Sequence, residues 1–319
     1  MNTQQAAMHT RSAYGGEGWQ GRGRPMRAEL GDLWAPCGLV NEWGRLRSVL
    51  LHRPGPELDA SLDPDAVNML APLDIARAQA QHDGLAQAYR AAGVEVHSAD
   101  PAGPPTPNQM FMADLFAMTP EGAILARPAS RVRAGEERVA ARRLADLGVP
   151  IVRSVSGNGT FEGADLMWLD QETAILGRGL RTNDEGAAQI ARVLAEMGIE
   201  TIVVDMPVGT MHLMGMLRIV DGDLALAWPL RFVHRGVEAL RRRGYQVVFL
   251  PDEREALASH AFNFVTLGPR EILMPAGNPQ TQRFYEQLGI SCHSVPTDEL
   301  SKAAGSIGCL SGIVWRDAR

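Results

Sequence analysis

"TAILGRGLRTNDEGAAQIARVLAEMGIETIVVDMPVGTMHLMGMLRIV", Thr173–Val220, is the stretch whose reading decides the fold. It opens on a short apolar run, TAILGRG. A stretch with apolar residues at three- and four-residue spacing follows, which predicts a helix. The helix stops at Gly198, the residue type expected at a C-cap. "IETIVVDMP" then reads as a second strand. "GTMHLMGMLRIV" alternates apolar with polar or small residues and reads as a third. A strand–helix–strand crossover places its two strands parallel, with the helix on one face.

The same order recurs along the chain. Apolar runs begin units at Ser48 (SVLLHRP), Gly122 (GAILARP), Leu224 (LALAWPL) and Glu271 (EILMPAG). Helical patterns such as EERVAARRLADLG, HRGVEALRRRG and TQRFYEQLG follow, each ending in glycine. Second strands start after Gly93, Gly148, Gly244 and Gly289. These glycines recur roughly every 45 to 55 residues, a period typical of propellers and arrays. NQMFMADLFAM, TFEGADLMWL, HAFNFVTLG and GSIGCLSGIVW supply the other third pieces. Five such units cannot each bury a sheet face alone, so they predict a closed ring. The expected fold is α/β: a five-bladed, pseudo-symmetric α/β propeller of ββαβ-type units with helices outside. A doubly wound open sheet is the alternative, but it needs no regular third piece.

The chain has 319 residues, 45% of them hydrophobic, and a formal net charge of -6. That length can bury a large core. The mild acidity argues against nucleic acid or an anionic membrane as main partner. No apolar run is long enough to span a bilayer. The three cysteines, Cys37, Cys292 and Cys309, are too sparse for a disulfide framework, which points to a reducing, cytoplasmic location. The N-terminal segment lacks an apolar h-region, so no secretory signal is expected. It is Gly-, Gln- and Arg-rich, and residues 1–36 read as a mobile tail before a single α/β-propeller catalytic domain, 37–319.

The third pieces carry residues unusual for buried strands: Asp114, Glu162 with Asp165, His212, Asn263 and Cys309. They fall at similar places in their units. In a pseudo-symmetric ring, such places converge near one axis. A cluster of buried carboxylates beside a Cys and a His calls for a cation between them. Each residue also has a plainer reading. A free Cys packs as a small hydrophobe, His212 can be a satisfied core histidine, and Asp165 or Asp114 can tie down a turn. Asn263 reads as a backbone partner, Cys292 as core filler, and His52, His234 and His260 as structural. No metal-ligand spacing and no phosphate-binding glycine loop is visible.

These motifs resemble, in chain order, those of the guanidino-group modifying enzymes, or penteins. "PNQMFMADLFA" looks like the Pro-Asn…Phe…Asp motif of arginine deiminases. "FEGADLMWL" resembles their Glu-Gly-Gly-Asp, "GRGLRTNDEG" their Gly…Arg-Thr, "MHLMGML" their His-Leu, and "GSIGCLSG" their terminal cysteine motif. The resemblance runs from about Asn41 to the end and extends to dimethylarginine dimethylaminohydrolases and amidinotransferases. It implies a covalent thiouronium mechanism with Cys309 as nucleophile, His212 as general acid/base and Glu162 as its carboxylate partner. Asp114, with Asp165, would hold the substrate guanidinium. Arg181 and one of Arg131 or Arg133 would bind the substrate α-carboxylate. The mechanism requires no cofactor and no metal. Two positions depart from arginine deiminases: Met214 replaces a carboxylate two residues after the histidine, and Ala113 replaces an arginine. The first departure favours an N-substituted guanidine.

The residue types suit that chemistry. A guanidinium is planar, resonance-stabilised and permanently charged. Attack on its carbon needs a soft nucleophile, and a thiolate is the strongest among side chains at neutral pH. His212 can protonate the departing amine and then take a proton from water. The glycines and serines around Cys309 would let a planar cation approach the sulfur closely. The expected function is hydrolysis of the guanidino group of arginine or an N-substituted arginine, giving citrulline plus ammonia or an amine. An amidinotransferase and a non-catalytic binding protein on the same ring are the alternatives. The expected partner is a small guanidino amino acid, with no nucleic acid and no membrane; a homo-oligomer stays open.

Overall fold

The computed structural model describes residues 9–58 and 63–318. Its strands form five three-stranded sheets. β1 (Leu46–Leu51) and β2 (Glu95–Ser98) begin the first sheet. β3 (Phe116–Thr119), β4 (Gly122–Leu125) and β5 (Ile151–Ser154) form the second, and β6 (Leu166–Asp170), β7 (Thr173–Arg178) and β8 (Glu200–Asp205) the third. β9 (Leu217–Asp221), β10 (Leu224–Ala227) and β11 (Gln246–Phe249) form the fourth, and β12 (Val265–Gly268), β13 (Glu271–Pro275) and β14 (Ser291–Val295) the fifth. β15 (Gly312–Arg316) returns to the first sheet and pairs antiparallel with β1, Leu46 opposite Arg316 and Leu50 opposite Gly312. The two ends of the fold thus share one sheet, which closes the ring.

Every sheet repeats one pattern. The middle strand is antiparallel to the strand before it in the blade and parallel to the one after, as β7 is to β6 and β8. The parallel crossover carries a helix: α1 (Ile75–Ala91), α2 (Glu137–Asp146), α3 (Asp184–Glu196), α4 (His234–Arg242) and α5 (Pro279–Gln287). Burial sorts the strands by radius. β3 and β12 are buried throughout, and β6 and β9 nearly so, whereas β2, β5 and β11 are largely exposed. The antiparallel strands therefore line the inside of the ring, and the parallel edge strands face out.

The helices form where the apolar spacing predicts them. In α3, Asn183 caps the N-terminus by accepting from Gly186 N, and Asp184 and Glu185 sit favourably in the first turn. Ala187, Ile190, Val193 and Leu194 make its buried face. The five recurring glycines, Gly93, Gly148, Gly198, Gly244 and Gly289, all have φ between 76 and 86°. That left-handed backbone is why glycine recurs there.

The third pieces differ from the expectation in one respect. Only their second halves are strands. In four of the five pieces the first half forms a 3-10 turn, Met112–Asp114, Gly163–Asp165 or Leu213–Gly215, or the short helix Ile307–Leu310, while the piece carrying Asn263 has a plain turn. Asp114, Glu162, Asp165, His212 and Cys309 sit on those four elements or immediately before them. A turn aims a side chain along the ring axis, whereas an alternating strand would send it to a sheet face.

Part of the N-terminal segment contacts the ring. Ala35 N donates to Gly148 O at 3.0 Å, and Arg27 donates to Met197 O at 2.8 Å and Glu121 Oε1 at 3.0 Å. Among the described residues, no helix is long and apolar enough to cross a membrane.

Candidate active site

The turns carrying the site pack side by side. Met112–Asp114 contacts both Gly163–Asp165 and Ile307–Leu310, and Gly163–Asp165 contacts Leu213–Gly215. Gly163 makes the first approach attainable: a Cβ there would lie 2.1 Å from Phe116 O and 2.5 Å from Ala113 O. Glu162 is set from both sides. Phe161 pairs with Arg127 through two backbone hydrogen bonds, and Asn183 Oδ1 accepts from Thr160 N at 2.9 Å. The cap of α3 thus fixes the carboxylate's turn as well as its own helix.

Glu162 is wholly buried and joins several partners. Its Oε2 lies 2.7 Å from His212 Nε2. Its Oε1 accepts from Arg181 Nη1 at 3.2 Å and from Ala129 N at 3.2 Å. Arg133 Nη1 donates to Asp114 Oδ2 at 2.6 Å and reaches Glu162 Oε2 at 3.4 Å, while its Nε donates to Glu136 Oε2 at 2.9 Å. His212 Nδ1 lies 3.8 Å from Asp114 Oδ1. That oxygen is buried and has no hydrogen-bond partner among the described residues. An open carboxylate acceptor in a dry site favours an N–H donor.

These neighbours decide the charges. Burial pulls the His212 pKa down, but Asp114, the hydrogen bond and charge of Glu162, and Asp165 outweigh it and hold it at about 9. Burial pushes Glu162 up, yet His212, Arg133 and Arg181 bring it down to about 2. At neutral pH the pair is imidazolium and carboxylate. His212 therefore holds a proton it can donate.

Cys309 and Asp114 line one cavity with Phe111, Arg133, Arg181 and Met211. Asn68, Asn108, Ala303 and Ala304 complete its wall. Burial and the charge of Asp114 push the Cys309 thiol above its ordinary pKa, while the Asn263 hydrogen bond, the Ser306 backbone and Arg218 pull the other way. A cationic ligand beside Asp114 removes the second obstacle. One ligand atom each from Asp114, Glu162 and His212 lie within 4.8 Å of one another, a spacing that also suits a metal ion. Those atoms already engage one another and the Arg133 guanidinium, so the donor set matches planar N–H groups better.

Other expected residues lie elsewhere. Arg131 is exposed, whereas Arg133, two residues on, is buried in the network. Asp165 spends both oxygens on the fold: Oδ2 accepts from Thr182 Oγ1 at 2.6 Å and Oδ1 from Leu213 N at 2.9 Å. It anchors the turn that follows His212. Burial raises its pKa to about 6. Met214 lines a second cavity, with Glu42 and Arg218, instead of the cavity that holds Cys309. The glycines of GSIGCLSG serve internal packing. A Cβ on Gly305 would lie 2.5 Å from the Phe111 ring, and one on Gly312 2.6 Å from the Phe116 ring. Asn108 and Phe111 line the cavity; both stand in the quoted PNQMFMAD stretch without an assigned role.

A five-bladed ring with a cysteine, a histidine and carboxylates gathered on its inner turns defines a class. The family model for arginine deiminase matches residues 102–237 and 230–316, and the chain belongs to that family. Among named relatives, the N(G),N(G)-dimethylarginine dimethylaminohydrolase of Pseudomonas aeruginosa is 27% identical over 238 residues, 75% of this chain and 89% of the relative. That of Streptomyces coelicolor is 29% identical over 267 residues, 83% of this chain and 96% of the relative. A solved structure of a mutant Pseudomonas aeruginosa dimethylarginine dimethylaminohydrolase complexed with citrulline superposes with a TM-score of 0.69 at 25% identity, covering 85% of this chain and 100% of that one. An amidinotransferase from Microseira wollei shares the fold, with a TM-score of 0.74 at 15% identity over 88% of this chain and 98% of that one.

Proposed function

We propose that this chain hydrolyses the guanidino group of arginine or an N-substituted arginine, through a covalent intermediate on Cys309. The observation that carries the reading is the cavity shared by Cys309 and Asp114, whose buried Oδ1 has no hydrogen-bond partner among the described residues. An open carboxylate acceptor beside a thiol suits a cationic N–H donor. The relatives named as dimethylarginine dimethylaminohydrolases support the same class.

In this reading the substrate guanidinium donates to the free Asp114 Oδ1. Cys309 Sγ, as thiolate, adds to the guanidinium carbon. His212 gives its proton to the departing nitrogen, the C–N bond breaks, and ammonia or an amine leaves. Water then adds to the thiouronium carbon and passes a proton to His212. The C–S bond breaks, the remaining hydroxyl proton passes to solvent as the citrulline C=O forms, and the thiolate returns. Arg133 and Arg181 are the cations at the cavity wall for the substrate α-carboxylate. In this reading the catalytic unit is residues 37–319, and the sparse set of free cysteines supports a cytoplasmic location.

Arginine, monomethylarginine and dimethylarginine offered separately, with released ammonia, methylamine or dimethylamine measured, test the proposal. Substituted arginines are expected to react faster, as the relatives named dimethylarginine dimethylaminohydrolases suggest. A strong preference for plain arginine removes the substituted class. Release from none of them by folded protein overturns the whole reading.

A further inference from the structure

A buried arginine lies beneath the nucleophile. Arg218, on β9, is 6% exposed. Its Nε donates to Phe262 O at 3.0 Å, and its Cζ stands 5.4 Å from the Phe264 ring centroid. Its Nη2 has no hydrogen-bond partner among the described residues. The backbone just before Cys309 rests on it: a Cβ on Gly308 would fall 2.5 Å from Arg218 Nη2 and 2.7 Å from Asn263 Oδ1. Asn263 faces the same backbone. Its Oδ1 accepts from Cys309 N at 3.3 Å, and its Nδ2 donates to Cys309 Sγ at 3.0 Å. The first bond fixes the amide orientation, so the N–H groups face the sulfur.

A buried guanidinium needs an anion. The ionisable groups acting on Arg218 are Cys309, Glu42, Tyr285 and Tyr89. Burial raises the pKa of both tyrosines, which keeps them neutral. Glu42 lines a cavity with Arg218 and is shared with Arg316. The sulfur is the group whose own backbone packs on the open Arg218 Nη2, through Gly308, and whose Sγ the Asn263 amide meets at 3.0 Å. Arg218 and Asn263 do not line the cavity that holds Cys309 and Asp114, whereas Arg133 and Arg181 do.

We infer that Arg218 and Asn263 form a built-in counter-ion for the Cys309 thiolate, acting from the side away from the substrate cavity. This rests on Cys309 being the nucleophile proposed above. The sulfur anion occurs twice in the cycle, before attack and when the C–S bond breaks. The pair stabilises it at both points; the thiol proton is released to water. Arg218 is a positioning residue that acts through the sulfur, and Asn263 touches the reacting atom.

Alkylation of Cys309 by iodoacetamide against pH, in substrate-free protein, tests this. Peptide mass spectrometry separates Cys309 from Cys37 and Cys292. Arg218→Met and Asn263→Ala are each expected to move the alkylation midpoint up, lowering the rate below the midpoint by about tenfold, because only the thiolate reacts. Arg218→Lys keeps the charge and restores most of the rate. Arg218→Met and Asn263→Ala both lower kcat and leave KM within about twofold, the pattern of an interaction outside the substrate cavity. An unchanged midpoint in folded Arg218→Met or Asn263→Ala overturns the inference. If Arg218→Met does not fold, Asn263→Ala alone must show the upward move. The parent reading fails separately, by citrulline formation surviving Cys309→Ser.

Discussion

Replacing Glu162 by Gln isolates what its charge does. The carboxamide oxygen can still accept from His212, so the 2.7 Å contact is kept while the negative charge is lost. His212 stands at about 9 against an ordinary 6.5. That difference is worth about 3 kcal/mol. Three carboxylates share it, and Glu162 acts by both hydrogen bond and charge. Losing the Glu162 share of it moves His212 down. Arg181 loses the carboxylate it donates to at 3.2 Å, so the fold weakens too. Removing one partner of a buried ion pair costs about 3–5 kcal/mol. The assays are the alkaline limb of the kcat–pH profile and an NMR titration of His212. Glu162→Gln should move both down from near 9 and lower kcat by about ten- to a hundredfold. A folded variant whose His212 titrates as in the wild type refutes the electrostatic argument.

Further outcomes follow from the same geometry. Arg133→Gln should lower activity at least about a hundredfold, because it loosens Asp114, whereas exposed Arg131→Gln should stay within about threefold; comparable losses would undo the distinction. Gly308→Ala places a methyl 2.5 Å from Arg218 Nη2 and 2.7 Å from Asn263 Oδ1, so kcat should fall about tenfold or more while the helices persist by circular dichroism. The His212–Glu162 pair also gives stability a pH window. The raised His212 contributes fully below about 6.5 and loses its contribution as pH rises through about 9. The lowered Glu162 contributes above about 4.5 and is lost as pH falls towards 2. Urea midpoints should therefore decline on both sides of the interval between 4.5 and 6.5, and equal midpoints at pH 6 and pH 9 would contradict the assignment.

Several features were legible from the sequence because they repeat. The glycine after each helix marks a left-handed residue, and five such positions set the blade count. Asp114, Glu162, His212 and Cys309 stood out because polar residues recur at one place in each unit. Features that depend on a single local contact were not legible. Arg131 and Arg133 are indistinguishable as sequence, and only the turn around them buries one. Asp165 looked like a substrate ligand, yet both oxygens serve Thr182 and Leu213. Met214 stands two residues after His212, but the 3-10 turn Leu213–Gly215 carries it to another cavity. The third pieces read as continuous strands because alternation cannot reveal a turn. Arg218 has one sequence signal, a lone arginine inside the apolar run MLRIV. Asn263 was expected to pair with backbone and does so at Cys309 N, while its other end reaches the sulfur.

The central claim is that Cys309 carries a guanidino hydrolase. Citrulline formation from arginine and its N-methylated derivatives, by wild type and by Cys309→Ala, tests it most directly. The account requires citrulline from at least one of these substrates with the wild type, and none with Cys309→Ala folded to the same circular dichroism spectrum. Citrulline from the alanine variant at a comparable rate, or none from the wild type with any of them, would contradict it.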